Sequence, residues 1–219
     1  MYKNYNPIVQ VFGLFFLLLF LQISFFIMAD TIIGNYDYAR TVMAISIDLG
    51  FLIVVCFYTY YYRNNPFEDI KIPNFRNIMV CIFVTGLIVI IWPFLDLSDL
   101  IGKIINKEKI YTHSLQKKTW DLTSFQQSYY YLRTLLLMPI LEETFYRKII
   151  LKKINKKYKT IIAILISSFL FSLGHLDYAF FSTAFFIGII LSLVYIQTKN
   201  LVIPIIIHSL INLSNNFFG

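Results

Sequence analysis

The chain has 219 residues, of which 58% are hydrophobic and only 14% are charged, and its formal net charge is +7. A soluble domain of this size carries about 25% charged residues, so the composition argues against a soluble protein and indicates a membrane protein. Lys and Arg cluster in short segments between apolar runs, which speaks against nucleic-acid binding. The two cysteines lie alone inside apolar runs, so no disulfide framework or zinc site of the Cys type is expected. The high content of Ile, Phe, Tyr, Lys and Asn is typical of an AT-rich bacterial genome, and we expect a bacterial cell membrane.

Apolar runs along the chain predict an all-α fold, a polytopic membrane helix bundle with about seven transmembrane helices. A helix needs about 20 apolar residues to cross a bilayer. The predicted spans are residues 8–29, 42–62, 78–95, 129–151, 160–176, 179–197 and 201–217. The first run is too long for a secretory signal peptide and lacks its small-residue cleavage pattern, so we expect it to be retained.

The connector at 96–128 is the longest segment without a predicted span. Its apolar residues Leu97, Leu100, Ile101, Ile104 and Ile105 fall on one helical face. This pattern predicts an amphipathic helix that lies in the membrane interface. A solvated connector helix explains the same pattern equally well.

The distribution of positive charge predicts the orientation. The loop "RKIILKKINKKYK", residues 147–159, is the most basic segment of the chain. Because cytoplasmic loops carry an excess of Lys and Arg, we expect this loop and the N-terminus to be cytoplasmic, and the C-terminus to be external.

The stretch "PILEETFYRKII" places charged residues inside the fourth predicted span. Charges in a bilayer interior are costly and usually functional. Glu143 and Arg147 are four residues apart, which is the spacing of an ion pair on one helical face. Glu142 points about 100° away from Glu143 and is left to face a cavity. The alternative is that both glutamates belong to a solvated helix end.

Two further polar groups lie in the last three spans. Phe171 and His175 are four residues apart near the end of one span, and His208 and Asn212 have the same spacing in the last span. Taken alone, His175 is explained as a packed interfacial residue, and the pair in the last span as hydrogen-bonding partners between helices. At about 1.5 Å per residue, however, Glu142 and the two histidines all reach the middle of the membrane, so we expect them to form one site.

In order along the chain, Glu-Glu-x-x-x-Arg, Phe-x-x-x-His and His-x-x-x-Asn resemble the motifs of the CPBP family of intramembrane proteases. This family includes the CAAX prenyl endopeptidases and the bacterial Abi or bacteriocin-immunity-type proteins. The resemblance covers residues 129–216. It divides the chain into N-terminal transmembrane helices and a connector, 1–128, and a catalytic CPBP/Abi-type four-helix core, 129–219.

The resemblance implies an intramembrane endopeptidase that hydrolyses peptide bonds of a membrane-associated peptide or protein. Glu142 would be the general base that activates water, with His175 helping to hold that water. His208 and Asn212 would stabilise the oxyanion. The residues implied to support the site are Glu143, Arg147 and Phe171. Because prenylated substrates are rare in bacteria, a peptide pheromone, a bacteriocin precursor or a membrane-protein segment is the expected substrate.

Metal dependence stays open at this point. The family is commonly labelled metalloprotease, and Glu142, His175 and His208 have the residue types of a zinc site with an open position. A metal-free mechanism with glutamate-activated water is equally compatible with these residues.

Two alternatives to the enzyme remain. A catalytically silent scaffold or bacteriocin-immunity protein with the same fold would keep the helices without the chemistry, although every motif position is filled in this chain. A proton-coupled transporter would use the buried carboxylates as relays, but the chain has no visible inverted repeat.

Overall fold

The computed structural model describes residues 6–33, 36–62, 65, 68–95, 123–175 and 180–218. Within these ranges every regular element is helical, and the elements group into seven helices, which we label α1 to α7. The predicted all-α membrane helix bundle is confirmed. The connector at 96–122, with its predicted interfacial helix, lies outside the described residues, so that prediction stays untested.

The first three helices are longer than the predicted spans, the first mainly at its C-terminal end and the other two at their N-terminal ends. They are α1, Pro7–Ile33, α2, Tyr36–Tyr62, and α3, Phe75–Leu95. Helix α1 packs along α2, and α3 packs against the last helix of the chain. Their outward faces carry large exposed apolar side chains, among them Phe20, Phe83 and Ile90. Large apolar faces of this kind suit contact with lipid.

Helix α4 covers residues 124–155 and is the most irregular helix in the described chain. It starts with a capping box, in which the Thr123 hydroxyl accepts from the Gln126 amide and the Gln126 side chain accepts from Thr123 N–H. Its consecutive pieces are an α-helix, Ser124–Leu132, a π-helix, Arg133–Leu137, an α-helix, Met138–Glu143, a second π-helix, Thr144–Leu151, and a short α-helix, Lys152–Asn155.

The two π-helical segments flank the glutamate pair. The first ends just before Pro139, which has no N–H for the helical hydrogen-bond ladder. The second begins directly after Glu143 and is buried along its whole length. π-Helical turns inside α-helices occur frequently at functional sites. The irregular backbone of α4 therefore surrounds the charged stretch that the sequence analysis singled out.

The last three helices pack around α4 with close backbone contacts. They are α5, Thr160–Gly174, α6, Phe181–Thr198, and α7, Val202–Phe218. Gly188 of α6 lies so near Ser168 of α5 that an added Cβ would come within 3.0 Å of the Ser168 backbone. Helices α6 and α7 are joined by a tight turn in which Lys199 adopts a left-handed φ of 49°.

Three of the described helices contain stretches long and apolar enough to cross a membrane: Pro7–Phe25, Thr41–Tyr62 and Phe181–Thr198. Shorter apolar stretches occur in α3, α5 and α7. The helices thus lie where the spans were predicted, while the number of seven crossings and the orientation stay predictions.

Candidate active site

Glu143 and Arg147 form the ion pair that their spacing predicts. Arg147 Nε lies 2.8 Å from Glu143 Oε2, and Nη2 lies 3.4 Å from Oε1. Both side chains are 0% exposed. A buried charge pair persists only when its remaining hydrogen-bonding groups also find partners. Arg147 Nη1 is 3.5 Å from the Ser167 hydroxyl, which itself donates to the Tyr146 carbonyl at 2.7 Å.

His208 connects this ion pair to Glu142. Its Nδ1 lies 3.1 Å from Glu143 Oε1, and its Nε2 lies 3.6 Å from Glu142 Oε2. Glu143, held as a carboxylate by Arg147, only accepts hydrogen bonds, so Nδ1 is the donor in this contact. The other ring nitrogen then faces Glu142 at a distance slightly too long for a hydrogen bond. Glu142 is partly exposed, whereas Glu143 is fully buried.

His175 lies at the C-terminal end of α5, where its Nδ1 contacts the Phe171 carbonyl at 2.8 Å. Because a carbonyl only accepts, this contact makes Nδ1 the donor and leaves Nε2 as an acceptor. The Phe171 ring lies between the two histidines, with centroid distances of 4.7 Å to His175 and 5.7 Å to His208. Arg147 Cζ lies 4.9 Å from the same ring. Phe171 therefore holds both histidines and the arginine in one packed group.

The approach of α5 to α4 depends on Gly174, the residue before His175. A Cβ at this position would collide with the Tyr146 hydroxyl of α4. Any larger residue would require the Tyr146 side chain, α4 or α5 to shift. The glycine thus brings the helix end that carries His175 close to the buried part of α4.

Asn212 lies one turn beyond His208 on α7 and faces the first π-helical segment. Its Nδ2 donates to the Thr134 carbonyl at 2.9 Å. An amide group has two N–H donors, so this contact leaves one of them for another partner. The structure therefore brings Glu142, Glu143, Arg147, Phe171 and both histidines into one connected group, and it binds Asn212 to the adjoining backbone.

A second buried polar network was missed by the sequence analysis. Asp48 of α2 accepts hydrogen bonds from the Tyr129 hydroxyl at 2.6 Å and from Arg133 Nε at 2.9 Å. It ties α2 to the start of α4, next to the π-helical segment that Asn212 contacts. The available signal was a single aspartate inside the apolar run "ISIDLGFL".

The three residues of the zinc hypothesis lie in the described part of the chain. In the part of the chain that the structure describes, no group of three or more His, Cys, Asp or Glu side chains is arranged to hold a metal ion. His208 uses Nδ1 on Glu143, and His175 uses Nδ1 on a backbone carbonyl, so Nε2 is the nitrogen of each ring that would bind a metal. Metal dependence therefore stays a prediction.

Comparisons with known proteins match the region that holds the site. Residues 124–214 match the family model for type II CAAX prenyl endopeptidases, Rce1-like. The chain is also 42% identical over 80 residues to the membrane-embedded CAAX protease MroQ of Staphylococcus aureus (strain USA300), a stretch that covers 34% of this chain and 32% of the relative. The match thus spans about a third of that protein's length. No solved structure matches the chain. With the motifs and their shared site on α4, α5 and α7, these matches show that residues 124–214 are similar to membrane-embedded CAAX proteases.

Proposed function

We propose that this protein is an intramembrane endopeptidase that cleaves a membrane-associated peptide or protein with water activated by Glu142. The observation that carries the proposal is the placement of His208 between Glu142 and the buried Glu143–Arg147 pair. That placement brings the partly exposed Glu142 carboxylate near the His208 imidazole, and the contact of Nδ1 with Glu143 fixes the orientation of that ring. A fixed base and a fixed hydrogen-bond donor are the two requirements of peptide hydrolysis by water.

The first step forms the bond between water and the substrate. Glu142 takes a proton from water, and the water oxygen attacks the carbonyl carbon of the peptide. His175, with Nε2 as the acceptor, holds the second proton of that water. The negative charge that develops on the carbonyl oxygen is stabilised by the Nε2–H of a doubly protonated His208 and by the N–H of Asn212 that Thr134 does not use.

The second step breaks the peptide bond. The proton held by Glu142 passes to the amide nitrogen, and the C–N bond cleaves to give a carboxylic acid and an amine. Glu142 is a carboxylate again at the end, so the cycle needs no reagent besides water. The proposed cycle passes through no metal.

Glu143 and Arg147 serve this chemistry by holding His208. A carboxylate that is buried and neutralised by Arg147 keeps the Nδ1–H of His208 in place, and the ring orientation follows from that contact. Supporting groups of this kind commonly set the tautomer and the aim of a catalytic imidazole.

The test compares membrane peptides from cells that produce the wild-type protein with peptides from cells that produce Glu142→Gln. Gln keeps the size and an acceptor oxygen of the side chain but does not take a proton from water. Cleavage products present with the wild type should disappear with Glu142→Gln. Glu108→Gln, the same substitution in the connector, is the matched control and should leave the products unchanged.

The same experiment separates the enzyme from the silent scaffold. A scaffold requires no proton transfer, so wild type and Glu142→Gln would give identical peptide profiles at equal protein abundance. That result would reject the proposed hydrolysis while leaving the fold and the similarity to CAAX proteases intact.

A further inference from the structure

A group of lysines lies at the end of α4 that is opposite to Asn212 and the Asp48 network. Lys148, Lys152, Lys153 and Lys156 line a small pocket of about 60 Å³ that opens to solvent. Its lining also includes Tyr58, Asn65 and Glu68. We call this site the lysine pocket. It is separate from the candidate active site, and neither the proposed hydrolysis nor the family match assigns it a role.

The wall of the lysine pocket is firmly attached to the helix bundle. Asp69 accepts hydrogen bonds from Lys148 at 2.6 Å, from Lys152 at 3.1 Å and from the Tyr195 hydroxyl at 2.7 Å. The Asp69 carbonyl also accepts from Leu201 N–H at the turn between α6 and α7. These hydrogen bonds attach the segment that carries Glu68 and Asp69 to α4, α6 and the turn before α7. The pocket is therefore formed by residues that the fold holds in place.

The charges of the lysine pocket are not balanced by the carboxylates around it. Lys148 and Lys152 both contact Glu68 and Asp69. Lys153 and Lys156 form no ion pair with a carboxylate among the described residues, so four lysines face two carboxylates and two positive charges remain. Lys153 Nζ instead lies 3.6 Å from the centroid of the Tyr62 ring.

The ionisation of Lys153 agrees with this imbalance. Burial of its ammonium group, together with the nearby charge of Lys156, lowers the pKa of Lys153 to about 8. A bound anion beside Lys153 would oppose both effects. The Lys153 ammonium group therefore lies in the pocket without a negatively charged partner.

We propose that the lysine pocket binds the phosphate group of an anionic phospholipid. A phosphodiester carries one negative charge and acceptor oxygens, which match the two uncompensated ammonium groups. The pocket lies at the end of the spanning helices, beside the aromatic residues 57–62 of α2, among which Tyr60 is 88% exposed. Tyr side chains collect at the level of the lipid headgroups, and basic pockets between helices at this level suit anionic headgroups.

The test measures lipid binding to the purified full chain by native mass spectrometry. The protein is kept in detergent micelles that contain either phosphatidylglycerol or phosphatidylcholine, and the bound fraction is followed against lipid concentration. Three proteins are compared: wild type, Lys153→Gln with Lys156→Gln, and Lys157→Gln with Lys159→Gln. The last pair is the matched control, since it removes the same charge from the same loop at exposed positions that do not line the pocket.

Each interfacial lysine contributes about a fivefold factor to the binding of an anionic lipid, so the pocket double variant should bind phosphatidylglycerol about thirtyfold more weakly than wild type. The control double variant should bind like wild type, and phosphatidylcholine should bind weakly to all three proteins. If the pocket double variant fails to fold, Lys156→Gln alone replaces it and should weaken binding about fivefold.

Three results would overturn the proposal. Equal losses in the two double variants would show that only the overall charge of the loop matters. Equal binding of the two lipids would show that the site does not recognise net negative charge. Inorganic phosphate that displaces phosphatidylglycerol at millimolar concentration, and itself raises the melting temperature of wild type, would identify a free-phosphate site instead of a lipid site.

Discussion

The charges on α4 form two clusters that are adjacent in sequence and very different in environment. Glu143 and Arg147 are 0% exposed and pair within one helix. Lys148, the next residue, reaches the other way to Asp69 and to Glu68, whose side chain is 68% exposed. The buried pair is costly to break, because either partner alone is an uncompensated charge. In the outer cluster, Glu68 remains in contact with water, so its ion pairs contribute little, whereas Lys148 and Asp69 are largely buried.

The largest expected effect is the loss of stability in Glu143→Ala. This change leaves Arg147 buried without a carboxylate and His208 without the acceptor for Nδ1. Removing one partner of a buried ion pair costs about 3–5 kcal/mol, so the variant should yield much less folded protein. The measurement is the melting temperature and the folded yield in detergent.

Glu68→Ala is the control for that experiment, because it removes a carboxylate from the outer cluster and should leave the melting temperature nearly unchanged. If Glu143→Ala were as abundant and as stable as Glu68→Ala, the contrast between the two clusters would be wrong.

The next effect concerns activity within the buried cluster. Asn212→Ala should slow cleavage about 100- to 1,000-fold, because one oxyanion donor is lost while His208 remains. His175→Ala should slow it further, since the attacking water loses its position. The two rates are compared on a peptide identified through Glu142→Gln, at equal amounts of folded protein.

The contact of Asn212 with the Thr134 carbonyl adds a control to this comparison. Asn212→Asp keeps an acceptor oxygen but has no N–H for the oxyanion, so it should be as slow as Asn212→Ala. Full activity of either Asn212 variant would show that this residue serves only the backbone of α4.

The sequence was sufficient to predict the helices and part of the site. Long apolar runs gave the seven helices, and the i, i+4 spacing gave the pair of Glu143 and Arg147, since both signals are local. Matching depth and the family motifs placed His208 in one site with Glu142, but its contact with Glu143 became visible only in the structure. These features depend on periodicity and helical rise, which a sequence shows directly.

The other features depend on distant partners or on backbone irregularity. Asp48 meets its partners across 81 and 85 residues of chain, and nothing in a single sequence pairs them. The acceptor of Asn212 is a backbone carbonyl within a π-helical segment, and apolar periodicity does not reveal a change from i+4 to i+5 bonding. The lysine pocket likewise required the fold, because Glu68 and Asp69 lie far from α4 in the sequence.

A smaller effect is expected when the outer cluster is titrated with acid. Burial disfavours the charged form of Asp69, but hydrogen bonds from Lys148, Tyr195 and Lys152 outweigh burial and lower the pKa of Asp69 to about 2. A carboxylate with a lowered pKa in the folded state stabilises the protein above its ordinary pKa, and this contribution is lost as the pH falls through about 2. Wild type should therefore melt above Asp69→Asn at pH 6, and the difference should shrink between about pH 4 and pH 2. A difference that stays constant over this range would show that ionisation of Asp69 is not its source.

The smallest expected effect is that of metal removal, which should leave activity unchanged. Among the described residues, no group of three or more His, Cys, Asp or Glu side chains is arranged to hold a metal ion. Purified wild type should therefore keep its cleavage rate after exhaustive chelation.

The decisive control is metal analysis of wild type beside His175→Ala and His208→Ala. Stoichiometric zinc in wild type that is lost in both variants, together with silencing by the chelator, would replace the glutamate–water mechanism with a metal site formed by rearrangement of the same residues. Zinc that is bound by wild type and retained by both variants would place the metal elsewhere and leave the proposed roles of Glu142 and the two histidines intact.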